Sequence, residues 1–122
     1  MITNALAPMR VVEAFEALVT PKGVIGAMSS GLASVGGNVS GGWEVYRASK
    51  AALNTLMRSF AARQSARSLV LIAPGWVRTD MGGPQATLGV DDSIPKVVDV
   101  IVSRAGKSGL RFLDYRGADV AW

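Results

Sequence analysis

The sequence contains neither cysteine nor histidine. Without cysteine there is no disulfide and no thiolate metal site. Without histidine there is no histidine-based catalytic triad, and the commonest metal ligand is gone. No metal site is expected. No apolar run approaches the roughly 20 residues that a membrane-spanning helix needs. Residues 1–19 lack the basic start and small-residue cleavage site of a signal peptide, and Arg10, Glu13 and Glu16 interrupt their apolar positions. The expectation is a cytoplasmic protein with no membrane partner. Lysine and arginine form no run, and no aromatics interleave with them. The net charge of +4 therefore reads as ordinary surface charge, not as a nucleic-acid footprint. Repeats, low-complexity stretches and linkers are absent too.

What is present is 122 residues, 49% of them apolar, which fits one folded domain over 1–122. Residues 3–20 read as a helix, with Thr3 or Asn4 as its cap and Pro8 tolerable only near its first turn. Arg10, Glu13 and Glu16 make one narrow polar stripe. Leu6, Met9, Val11, Val12, Phe15, Leu18 and Val19 occupy the other faces, so this helix wants contact on more than one side.

Val24–Met28 reads as a buried strand that runs into Ser29, Ser30 and a glycine-rich loop. A long helix follows over about 44–66, with Leu53, Leu56, Met57 and Phe60 as its apolar stripe. Ser68–Ala73 is a second strand, Asp91-Asp92-Ser93 caps a helix near 92–105, and a last strand falls at about 110–114. Strands alternating with helices predict a parallel sheet with right-handed crossovers, here three strands in chain order.

Chemistry concentrates on Tyr46-Arg47-Ala48-Ser49-Lys50. A tyrosine and a lysine four apart on a helix share one face. A phenol, with an ordinary pKa of about 10, is a poor acid or base near neutrality, but an adjacent ammonium favours its phenolate form. The same pair also describes a solvated helix surface. Its surroundings decide. Strand, serine, loop, Tyr-x-x-x-Lys helix, strand and Pro74-Gly75 occur in that order. With Gly36-Gly37-Asn38-Val39-Ser40-Gly41-Gly42, Ala51-Ala52-Leu53-Asn54, Pro74 to Gly83 and the ending Phe112 to Trp122, they resemble the catalytic half of short-chain dehydrogenases/reductases. The details are similar to the C-factor and sniffer-type carbonyl reductase branch, from about Asn4 to the last residue.

The resemblance implies an α/β, partial Rossmann-like three-layer fold, with a parallel sheet of about three strands and flanking helices. It implies Tyr46 as general acid/base and Lys50 as the residue that assists it and holds the nicotinamide ribose. Ser30 is then the substrate-orienting serine, with Ser29 as the alternative, and Asn4 holds a relay water through its carbonyl. Pro74, Gly75, Val77 and Thr79 match residues that line the nicotinamide, while Trp43, Trp76 and Met81 are candidate pocket walls. The implied cofactor is NADP or NAD, and the implied substrate a small carbonyl or alcohol.

The family's opening Thr-Gly-x-x-x-Gly-x-Gly element has no counterpart in these residues. Gly36, Gly37, Gly41 and Gly42 have the wrong spacing, so dinucleotide binding is expected to be weak. The first strand then becomes a sheet edge, and a homodimer or larger homo-oligomer is expected, as the family's helices commonly form. Beside the oxidoreductase stands a second reading: a non-enzymatic, C-factor-like interaction or signalling module.

Overall fold

The computed structural model describes residues 1–122. Three strands, β1 (Val24–Met28), β2 (Ser68–Ala73) and β3 (Gly109–Asp114), form one parallel sheet in the order β1-β2-β3. Helix α1 (Ala7–Phe15) precedes β1, α2 (Glu44–Arg63) connects β1 to β2, and α3 (Val90–Ser103) connects β2 to β3. This is the three-stranded α/β architecture that the alternation of elements predicts. As expected, β1 is an edge, paired with β2 alone.

The layers follow from side-chain alternation along the strands. Leu69, Leu71 and Ala73 of β2 join Ile25 and Ala27 of β1 and Phe112 of β3. Met9 and Val12 of α1 and Leu53, Met57 and Phe60 of α2 close over them. On the other face Val70, Ile72 and Leu113 meet Val97 and Val100 of α3. All six residues of β2 are buried, as a central parallel strand requires.

The first helix departs from its simple reading. Residues Ile2–Leu6 wind as a wider π-type turn, α1 spans Ala7–Phe15, and Glu16–Leu18 tighten into a 3-10 turn. Neither Thr3 nor Asn4 caps it with a side chain. Met9 and Val12 are buried, but Leu6, Val11, Phe15 and Leu18 stay exposed. Helix α2 stops at Arg63, because Gln64 leaves the helical conformation at φ −127° and ψ 49°. Helix α3 starts two residues early, at Val90, with Gly89 as its cap. There Asp92 Oδ2 accepts from the Gly89 N–H at 2.8 Å, while Ser93 turns inward instead of capping.

Candidate active site at the C-terminal end of the sheet

The strand ends of β1 and β2, the first turns of α2 and the loop after β2 enclose a cavity of about 840 Å³. Ser29 continues β1 by one residue, its N–H donating to Ile72 O at 2.7 Å. Its buried hydroxyl donates to Asn54 Oδ1 at 2.6 Å. Ser30 differs. Its Oγ accepts from the Leu32 N–H at 3.1 Å and caps the short turn Gly31–Ala33, which leaves the hydroxyl hydrogen free to donate into the cavity.

Tyr46 and Lys50, one turn apart near the start of α2, line the same cavity. Lys50 Nζ donates to Met28 O at 3.1 Å. Because Ser29 faces β2, the adjacent Met28 carbonyl points to the open edge of β1. Burial pushes the half-buried Lys50 ammonium below the ordinary lysine pKa.

Asn4 reaches this group from the π-type turn. Its Nδ2 donates to Ser49 Oγ at 3.0 Å, and Ser49 Oγ donates in turn to Tyr46 O at 2.7 Å, tying the start of the chain to the tyrosine's turn of helix. The side chain is thus a tether between helices and not a cap. The residue four positions on is Pro8, which has no N–H to give the Asn4 carbonyl a regular helical bond. π-type turns recur at functional sites.

The opposite wall is Pro74, Gly75, Val77 and Thr79. Ser93 Oγ donates to Pro74 O at 2.6 Å, pinning the loop to the start of α3. Gly75 has φ +86°, and a Cβ there would lie 2.6 Å from Leu88 Cδ1. Only glycine fits. Trp43, Trp76 and Met81 also line the cavity, as do Asp114 and Tyr115 from the end of β3. Burial pushes the Asp114 carboxyl up, but hydrogen bonds from the Ala118 N–H and from Arg116 outweigh it and hold it below the usual carboxylate range.

Asn4, Ser30, Tyr46, Lys50, Pro74, Gly75, Val77 and Thr79, widely separated in sequence, therefore face one space. The Ser30 and Tyr46 hydroxyls and the Lys50 ammonium around an apolar cavity can hold and move a proton. Residues that sequence reasoning passed over support them: Asn54 under Ser29, Ser49 between Asn4 and Tyr46, and Arg47. Asn54 carried a signal, as a polar residue beside Leu53 on a helix face that is otherwise apolar.

Comparisons with known proteins find relatives of this fold. The family model described as Enoyl-(Acyl carrier protein) reductase matches residues 1–109. The chain is 40% identical to the C-signal protein of Myxococcus xanthus over 98% of this chain and 74% of that protein. Among solved structures, a short-chain dehydrogenase/reductase from Burkholderia multivorans with bound NADP superimposes with a TM-score of 0.96 at 59% identity. That match covers 99% of this chain and 53% of the other. Carbonyl reductase Sniffer of D. melanogaster gives a TM-score of 0.87 at 36% identity, covering 99% of this chain and 55% of the other. The chain spans about half the length of these solved structures.

Proposed function

The chain belongs to the short-chain dehydrogenase/reductase family, in its C-factor and sniffer-type carbonyl reductase branch, and from that premise we propose that its cavity carries the proton relay of an NAD(P)(H)-dependent oxidoreductase. The reaction is reduction of a small carbonyl compound or, in reverse, oxidation of an alcohol. One observation carries the reading: Asn4, Ser30, Tyr46 and Lys50 converge on a single apolar cavity.

In this reading Tyr46 Oη gives its proton to the substrate carbonyl oxygen, and Ser30 Oγ–H orients that oxygen by a hydrogen bond. The Lys50 ammonium stabilises the tyrosine's anionic form as the proton leaves. The Asn4 carbonyl holds the water through which the proton is replaced. Ser30 is favoured over Ser29 because the Ser29 hydrogen is committed to Asn54.

The residues around the cavity fit the nicotinamide end of a dinucleotide. Pro74, Gly75, Val77 and Thr79 would face the ring and its carboxamide, and Lys50 the ribose. The dinucleotide, when bound, supplies the hydride. Its pyrophosphate has no glycine turn to rest on within these residues. The loop at Gly41-Gly42 does not replace it, since the Gly41 N–H that could meet a phosphate already donates to Asn38 Oδ1 at 3.1 Å. Binding of NADP or NAD by this chain alone is accordingly weak.

The exposed Val11, Phe15 and Leu18 of the first helix support a homodimer or larger homo-oligomer. No helix is long and apolar enough to cross a membrane, which accords with a cytoplasmic location. The similarity to C-signal over most of that protein favours, as a second reading, a non-enzymatic interaction module.

Turnover separates the two. With NADPH and a small ketone, Tyr46→Phe is expected to lose at least about 100-fold of any carbonyl reduction. Lys50→Ala is expected to cut it severely, and Ser30→Ala more than Ser29→Ala. Turnover retained in Tyr46→Phe contradicts the relay, and a folded wild-type chain with no turnover favours the module.

A further inference from the structure

Resting on that reading of the cavity, we propose that Arg47 is a positioning residue whose guanidinium fixes the Gly41-Gly42-Trp43 turn, so that Trp43 walls the cavity beside Tyr46 and selects carbonyl substrates bearing a flat apolar ring. Gly41, Gly42 and Trp43 have φ of 65°, 73° and 58°, three consecutive residues in the left-handed region. Glycine adopts that region freely, but a tryptophan does not, and Trp43 is the one non-glycine residue of the chain found there. Burial does not hold it, because the residue is 71% exposed.

Arg47 does hold it. Its Nε donates to Gly42 O at 2.7 Å, one terminal nitrogen to Gly41 O at 3.2 Å and the other to Leu32 O at 3.4 Å. A single planar fork thereby joins the glycine turn to the turn that follows Ser30. The Arg47 N–H also bonds to Trp43 O at 2.8 Å. Lysine, a point charge on a flexible stem, cannot engage three carbonyls in this geometry.

The consequence lies one turn away. The Trp43 ring sits 6.5 Å from the Tyr46 ring at an interplanar angle of 73°, an edge-to-face contact. Trp76, on the facing loop, is anchored by its Nε1–H to Gly82 O at 2.8 Å and also lines the cavity. A ring attached to a carbonyl that approaches Tyr46 would lie against the exposed Trp43 indole. A saturated ring of the same size lacks the π surface for that contact.

Two measurements on the 122-residue chain test this. Near-ultraviolet circular dichroism reads the Trp43–Tyr46 contact with no ligand present. Arg47→Lys and Arg47→Ala are expected to lose the aromatic band that Trp43→Gly loses, with the far-ultraviolet helix signal retained. A wild-type aromatic band in Arg47→Lys overturns the clamp, even should Arg47→Ala fail to fold. Titration by NMR with acetophenone and with cyclohexyl methyl ketone then reads selectivity. Affinity for acetophenone is expected to fall about threefold to tenfold in Trp43→Gly and in Arg47→Lys, the size of an aromatic pair contact. The saturated ketone should change by less than about twofold on the same grounds. Equal changes for both ketones, or none, overturn the selective role of Trp43 and leave the Tyr46–Lys50 relay standing. Failure of the wild-type chain to bind either ketone overturns the cavity reading as well.

Discussion

On the sheet face covered by α1 and α2, 13 buried residues form one cluster, whereas on the α3 face five do. The first face is closed from edge to edge. The second thins out towards β1, where Gly26 and Met28 are exposed, and α3 leaves Val90, Ile94, Val98 and Val102 in solvent at successive turns. The candidate site spans both. Asn4, Ser30, Tyr46 and Lys50 rest on the thick side, on a tethered helix start, a strand end and a long helix. Pro74, Gly75, Val77 and Thr79 rest on the loop that leads to the thin side. The proposed acid–base residues are thus held by core packing, while the cofactor-facing wall depends on a few hydrogen bonds such as Ser93 to Pro74.

One substitution on each face tests the contrast. Leu53→Ala, at 0% exposure in the large cluster, is expected to cost about 3–5 kcal/mol, and Leu113→Ala in the small cluster about 2–3 kcal/mol. Urea unfolding checks the order. A larger loss for Leu113→Ala would mean that the thin face carries the fold.

A smaller effect is expected at the end of β3. Asp114 accepts from the N–H groups of Arg116 at 2.8 Å and Ala118 at 3.0 Å, and from the Arg116 guanidinium. Its pKa is held below the unfolded value, so its contribution is present above the ordinary carboxylate range and lost as pH falls through the lowered value. Asp114→Asn should flatten the acid limb of the stability profile. An unchanged limb would place that pH dependence elsewhere.

Lys50 is expected to give the smallest effect: its pKa is also lowered, but here because folding disfavours the charged form. Burial lowers its pKa from 10.5, so between the lowered value and 10.5 the unfolded chain binds more protons, and stability rises with pH through that window. Lys50→Met is expected to melt no earlier than wild type at neutral pH, with wild type gaining on it towards pH 10.5. A variant that melts clearly earlier would make Lys50 a structural residue through its bond to Met28 O.

Much of this was legible in the sequence because it is local or periodic. The apolar run Leu69–Ala73 could only be a covered strand, and the spacing of Leu53, Met57 and Phe60 marked the buried side of α2. Tyr46 and Lys50 share a face for the same reason. The rest depends on partners far along the chain. Choosing between Ser29 and Ser30 needs the bond to Asn54, 25 residues away. Asn4 resembled a cap until its bond to Ser49, 45 residues on, was seen. Asp91-Asp92-Ser93 reads as a cap locally, but Ser93 is drawn inward by Pro74, 19 residues back. Arg47 showed nothing in sequence beyond a charge on the first turn of a helix.

In the proposed function these residues hold the proton-transfer and nicotinamide side of a reductase site without a grip for the pyrophosphate. Titrating NADPH into the 122-residue chain, followed by calorimetry and by backbone NMR, tests it most directly. Binding is expected not to saturate below the millimolar range, with shifts confined to the cavity around Tyr46, Lys50, Gly75 and Thr79. Saturable micromolar binding, or shifts that miss the cavity altogether, would contradict it.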